Sequence, residues 1–226
     1  MCKCIVQHAS STDFSELLAH TETRLVSGES RAMGSRHSAA AFATSGQKKS
    51  VIKPNMPVSV LRQRDGQIES VKVRWGWSPV WAMGTMPPRT QMPLHLVMRS
   101  KVFDRVRTNG RVLVPVDGWY DLPTDAPLDQ PLRLSYTTSR RSTPLFLAGL
   151  AQISEKPSGC DGMAFMTCSH NDYSQRLLAF TAEHAMQWLD PDLQWDQAQH
   201  MALHLAVDEP QLEHVLTSPR QLQARR

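Results

Sequence analysis

The sequence predicts an α+β fold: a single domain on a mainly antiparallel sheet, curved or barrel-like, with helices concentrated toward the C-terminus. Three observations predict it. Short β-rich runs bounded by turn residues occupy most of the chain up to Cys168. Helical periodicity gathers after that point, and strands followed by helices argue for segregated α+β layers. No linker divides the chain into two hydrophobic halves, and 41% of the 226 residues are hydrophobic, enough to fill one sizeable core.

Each element follows from local pattern. Cys2–His8 reads as a strand that carries the N-terminus into the body of the fold. Ser11 and Thr12 cap a short helix with Phe14, Leu17 and Leu18 at helical spacing. Residues 27–50, rich in Gly, Ser, Ala and Lys, read as a long loop. Pro57–Gln63 and Gln67–Trp77 flank Arg64-Asp65-Gly66 and predict a hairpin. Ser78–Pro93 holds four prolines and reads as irregular backbone. A short helix is expected near Ser100–Val106. Strands are expected over Arg111–Tyr120, Leu132–Thr137, Leu145–Ile153 and Met163–Cys168. Helices are expected over Asp172–Phe180, Ala182–Leu189, Asp192–Ala206 and Pro210–Leu216. The domain is expected to span residues 1–216, and 217–226 to form a polar basic tail.

Charge and cysteine usage narrow the function classes. The net charge is +4, which permits a polyanionic partner without requiring one, and the recurring basic residues are equally those of an ordinary solvated surface. The four cysteines, Cys2, Cys4, Cys160 and Cys168, form neither a CxxC pair nor a disulfide framework. Free thiols in a reducing cytoplasm are the expectation, with no metal site and no cofactor. The N-terminus lacks the apolar segment of a secretory signal, and no stretch is long and apolar enough to span a membrane.

The cysteine at position 2 carries the sharpest chemical possibility. Removal of Met1 leaves an α-amine and a thiol on one residue, with unperturbed pKa values of roughly 8 and 8.5. Such a 1,2-aminothiol attacks an aldehyde through nitrogen and closes a thiazolidine ring through sulfur. It can also act as an N-terminal nucleophile carrying its own base. The alternative is a buried strand cysteine that happens to come early.

Five segments in order resemble one family. Arg74-Trp75-Gly76-Trp77-Ser78-Pro79-Val80-Trp81 is similar to the RWGLIPxW signature of the SOS response-associated peptidase (SRAP) family, the abasic-site processing proteins. Residues 111–121, from Arg111 through Asp117-Gly118-Trp119-Tyr120-Asp121, resemble its RCLVPADGFYEW. Phe146–Leu150 resembles its FAFAGLW strand, Lys53–Val58 its NxAPTxxxPV segment, and Trp188–Pro191 its WLDP.

The resemblance implies that Cys2 traps the ring-opened aldehyde of an abasic site in single-stranded DNA as a thiazolidine crosslink. It also implies autoproteolytic removal of Met1. Residue by residue it implies Cys2 as nucleophile, Asp121 as acid/base, Trp75, Trp81, Arg99 and Arg111 as DNA contacts, and Pro54 at the pocket rim. Asp121 stands where the family has glutamate. Val97 aligns with the family's asparagine in N-A-R-x-E-T, and Ser174 with its histidine in HxRMPVIL. His170 is the candidate substitute base. These departures predict slow crosslinking, which Val97→Asn and Ser174→His should speed. Two other readings follow from the same residues: a single-stranded-DNA-binding module that has lost crosslinking, and a cysteine peptidase acting on a separate protein, against which the absence of a Cys–His pair counts.

Overall fold

The structure, a computed structural model, describes residues 2–8, 18, 49–122, 133–141, 143–156, 159–171 and 174–217. Among these residues, thirteen strands form two open sheets. The smaller sheet has the order β13-β8-β7-β1-β2, with β1 Cys2–His8, β2 Lys49–Ile52, β7 Gly118–Asp121, β8 Leu134–Ser139 and β13 Leu212–Thr217. The larger runs β11-β10-β9-β6-β3-β4: β11 Ser174–Leu177, β10 Gly162–Asn171, β9 Leu145–Gln152, β6 Arg111–Val116, β3 Pro57–Arg64 and β4 Gln67–Arg74. Two short strands attach to it, β5 Gln91–Pro93 on β10 and β12 Ala179–Phe180 on β9. All named strand pairs are antiparallel except β5 with β10. Neither sheet closes into a barrel.

Strand alternation explains the layering. Side chains of successive strand residues point to opposite faces. Val112, Val114 and Val116 of β6 therefore join Leu145, Leu147 and Phe165 between the two sheets. Leu113, with Phe146, Ala148, Ala164 and Met166, faces the other way onto the helices. All eight residues of β9 are buried because both of its faces are covered. The helical layer comprises α1 Leu94–Arg99, α2 Asp104–Asn109, α3 Ala182–Leu189 and α4 Trp195–His204.

Most expected elements are present, and four differ. The run 111–120 is two strands, because the chain crosses from the large sheet to the small one at Asp117. Gly118 is required at that corner: a Cβ there would lie 2.3 Å from the Thr137 carbonyl oxygen. Lys49–Ser50, expected as the end of a loop, begins β2. The expected helix over Asp172–Phe180 is β11 and β12, whose Leu177 and Ala179 reach the inter-sheet core. The expected helix over Pro210–Leu216 is a short 3-10 turn followed by β13, an edge strand whose centre is exposed. Helices also occur mid-chain, as α1 and α2. The expected helix following Ser11, most of loop 27–50 and the tail lie outside the described residues, apart from the buried helical residue Leu18.

Candidate functional site

A β-bulge decides which way the N-terminal cysteine faces. Cys2 pairs with Asp121 and Cys4 with Tyr120, so two residues of β1 are spent against one of β7. The extra residue is Lys3. In a regular strand Cys2 and Cys4 would share a face; the bulge puts them on opposite ones. Cys2 joins Ile5, Val58, Trp75 and Trp119 in the inter-sheet core. Cys4 joins Val6 and Tyr120 on the outer side of the small sheet. All four cysteines are free, and this geometry keeps the two N-terminal thiols apart.

Cys2 and Asp121 come together in adjacent strands, and Trp119 fixes the carboxylate. The Trp119 indole N–H donates to Asp121 Oδ2 at 2.8 Å, two residues along the same strand face. Burial pushes the Cys2 thiol well above its ordinary range, and the Asp121 carboxylate and then Cys4 push it further; the chain's α-ammonium and a contact to the Cys4 carbonyl pull the other way. Cys2 is 5% exposed, and its S–H points at that carbonyl at 3.7 Å. Burial also raises Cys4, with Lys53 opposing. The arrangement is a buried thiol, its ionisation disfavoured by that burial, beside a carboxylate that an indole orients.

A second part of the surface gathers around Gly76. Asn55 N–H donates to the Trp75 carbonyl and Trp75 N–H to the Met56 carbonyl, docking the turn that contains Pro54. A Cβ on Gly76 would sit 3.1 Å from Pro88 Cβ and 3.3 Å from Asn55 Oδ1, at a φ of +147°. Glycine therefore lets the Pro54 turn and the base of the loop 78–88 lie side by side. That loop exposes Val80, Trp81, Met83 and Met86, with Trp81 69% exposed.

Other sequence-predicted residues fall elsewhere. Trp75 is a correction: it is fully buried, packs edge-on against Phe165 at 4.9 Å and donates to the Thr90 carbonyl at 3.0 Å, so it offers no face to a base. Arg111 is another. Its guanidinium donates to the Asp190 carbonyl at 2.9 Å and to that of Leu193, and it lies over the rings of Trp195 and Trp188. Burial lowers its pKa, against the pull of Asp190. It ties β6 to the end of α3 and is not available to a phosphate. Arg99 is exposed at the end of α1, in the layer covering the opposite face of the large sheet from Cys2. His170 and Ser174 fall at the β10–β11 end, and their side chains lie outside the described residues.

Val97 requires the largest correction. It is fully buried in the helix-side core with Leu94, Phe103 and Val106, away from Cys2. The nearby amide on the Cys2 side is Gln91. It pairs with Phe165, and paired residues of neighbouring strands share a face. Thr167, 1% exposed and two residues beyond Phe165, has a hydroxyl with no hydrogen-bond partner among the described residues. The proline-rich stretch hid the strand that carries Gln91, and only a register shows it. Trp119 could have been found from its i, i+2 spacing to Asp121. No group of three or more His, Cys, Asp or Glu among the described residues is placed to hold a metal ion. None of the described helices is long and apolar enough to cross a membrane.

Comparison with known proteins bears on the fold and the family. Abasic site processing protein YedK of Escherichia coli K12 is 22% identical over 157 residues, covering 67% of this chain and 68% of that one. A phage-related protein of Bordetella bronchiseptica superposes with a TM-score of 0.69 at 19% identity, covering 96% of this chain and 94% of its own. A Bacteroides thetaiotaomicron protein does so with a TM-score of 0.65 at 12% identity, over 97% and 94%. These structures establish a shared fold. The SOS response associated peptidase (SRAP) description matches residues 1–219, nearly the whole chain, and the protein belongs to that family.

Proposed function

We propose that this protein acts on DNA damage by binding single-stranded DNA that contains abasic sites and capturing the lesion's aldehyde covalently through Cys2. The observation that carries the reading is the bulge that turns Cys2 inward beside Asp121. Membership of the family and the similarity to an abasic site processing protein support it.

The chemistry begins with loss of Met1, since a peptide nitrogen is not a nucleophile. The Cys2 thiol attacks the Met1 carbonyl carbon, and the Met1–Cys2 C–N bond breaks as the thiol proton passes to the Cys2 nitrogen. Water then hydrolyses the resulting thioester to release methionine and restore the thiol. The freed amine then adds to the aldehyde carbon, and loss of water gives an imine. The thiol sulfur adds to the imine carbon while its proton passes to nitrogen, closing the thiazolidine with no other co-product. Nitrogen leads because burial keeps the sulfur protonated. Asp121, held by Trp119, moves the protons: to the departing hydroxyl in the first step, and from sulfur to nitrogen in the second. Trp81 stacks on a base beside the lesion, and Lys53 supplies positive charge to the strand. The Pro54 turn forms the rim. Free thiols fit a cytoplasmic location.

The test is intact-mass spectrometry before and after incubation with single-stranded DNA carrying an abasic site. The expected result is a protein lacking Met1 that gains the mass of the oligonucleotide less one water, with no adduct for Cys2→Ala. Binding should favour single strands over duplex and weaken as salt rises. Identical absence of adduct in wild type and Cys2→Ala after long incubation refutes the crosslinking reading and leaves a binding module.

A further inference from the structure

The side chain of Gln7 spans both sheets at a point where backbone pairing stops. Strands β3 and β6 pair at Leu61 and Leu113. Two residues further along each strand, the opposed residues are Ser59 and Pro115. Proline has no N–H to offer, so the ladder cannot continue there in the ordinary way. The Gln7 amide enters this gap. Its Oε1 accepts from the Ser59 N–H at 3.1 Å, and its Nε2 donates to the Ser59 carbonyl at 2.9 Å and to the Pro115 carbonyl at 3.0 Å. Gln7 is 3% exposed, so these groups have little water to turn to.

We propose that Gln7 is a positioning residue for the nucleophile: its amide takes the place of a strand residue between β3 and β6 and so holds the Cys2 strand in register against the large sheet. The inference rests on the reading of Cys2 as the reacting group. Pairing with β2 and β7 fixes β1 within the small sheet. Toward the large sheet, Cys2 and Ile5 make apolar contacts, which are not directional. Three hydrogen bonds from one amide are directional. A slip of β1 along the large sheet by two residues would keep the same faces buried yet carry Cys2 about 7 Å from its place against Val58 and Trp75. Gln7 opposes that slip at the far end of the strand.

The experiment compares Gln7→Met, similar in length but without the three bonds, with Leu113→Ala, a core truncation that leaves them intact. Two rates are read: adduct formation with abasic single-stranded DNA, and iodoacetamide alkylation of Cys2 as a function of pH, located by peptide fragmentation. Gln7→Met should slow adduct formation about 10²-fold, as expected for a misplaced reacting group. It should speed Cys2 alkylation near neutral pH about tenfold, since a thiol leaving its buried place ionises more readily. Leu113→Ala should lower thermal stability while leaving the alkylation profile at wild type. Equal alkylation profiles in Gln7→Met and wild type overturn the proposal. If wild type forms no DNA adduct, the functional reading fails, and the alkylation profiles still decide the role of Gln7. Should Gln7→Met not fold, Gln7→Glu, which keeps the acceptor for Ser59, replaces it; failure of both to fold establishes a purely structural role and overturns the proposal.

Discussion

Placing asparagine at position 97 should damage this protein rather than improve it. Alignment to the family motif puts Val97 at the asparagine position, which makes Val97→Asn look like a restoration. The structure puts the Val97 side chain wholly inside the helix-side core. Valine and asparagine have similar volumes, so the cost is chemical. Replacing a buried valine forfeits about 1.5 kcal/mol or more of apolar burial. An amide left without partners there adds roughly 1–3 kcal/mol. The total, about 3–4 kcal/mol, corresponds to a fall in Tm of roughly 6–16 °C for a chain of this size. Differential scanning calorimetry measures it, and adduct formation with abasic single-stranded DNA is followed alongside. Crosslinking should not become faster. Gln91→Ala, by contrast, should change Tm by no more than about 1 °C, as for most substitutions outside the core. It should slow crosslinking roughly 10–100-fold if the amide aids the developing charge. An unchanged Tm together with faster crosslinking in Val97→Asn would mean that position 97 reaches Cys2, and the face assignment of both residues would be wrong.

Three other perturbations separate chemistry from packing. Asp121→Asn removes a carboxylate that raises the Cys2 thiol pKa, so Cys2 alkylation should shift to lower pH while crosslinking slows through loss of the proton shuttle; movement of both rates in one direction contradicts the assigned roles. Because the folded-state thiol pKa is raised, Cys2 contributes stability that is present below the ordinary thiol value of about 8.5 and is lost as pH rises above it. Cys2→Ala should therefore lessen the loss of stability on the alkaline side, read as Tm against pH. Arg111→Ala should cost about 3 kcal/mol, from hydrogen bonds of a charged donor and ring contacts, with unchanged DNA affinity per folded molecule. Trp81→Ala should do the reverse, weakening single-strand binding by about 1–3 kcal/mol at unchanged Tm, which fluorescence anisotropy and calorimetry together resolve.

What the sequence made legible, and what it hid, divides along a physical line. Strands with a local signature were readable: the Arg64–Gln67 hairpin from Asp65 and Gly66, and β9 from its apolar run. The segments misread as helix share one cause. Ser174–Leu177 and Leu212–Thr217 have compositions that suit either state, and pairing with β10 and β8 decides for strand. Within the candidate site, Cys2 and Asp121 were named from residue identity, and the fold pairs them across adjacent strands. The site was illegible where the face matters. Trp75 and Trp81 lie six residues apart in one motif, yet one is fully buried and the other is the most exposed large hydrophobic side chain described. Arg111 reads as a phosphate contact until the fold brings the carbonyls of Asp190 and Leu193 to it.

The location of the site follows from the same geometry. A reactive N-terminus at the frayed end of an edge strand would meet water and oxidants freely. Here β1 is an inner strand of its sheet, paired on both sides, and its first residue is turned inward by one extra residue. Cys2 therefore sits at the seam between two sheets, with Asp121 and Trp119 on one wall and Trp75, Phe165 and Gln91 on the other. The walls belong to different sheets, and the chain crosses between them at Asp117, whose N–H donates to the Val6 carbonyl at 2.9 Å. Small relative movements of the sheets would change the distance from Cys2 to the second wall while leaving its contact with Asp121 intact. In the proposed reaction, control would thus reside in the links between sheets, the Asp117 corner and the Gln7 amide, as much as in the residues that touch the aldehyde.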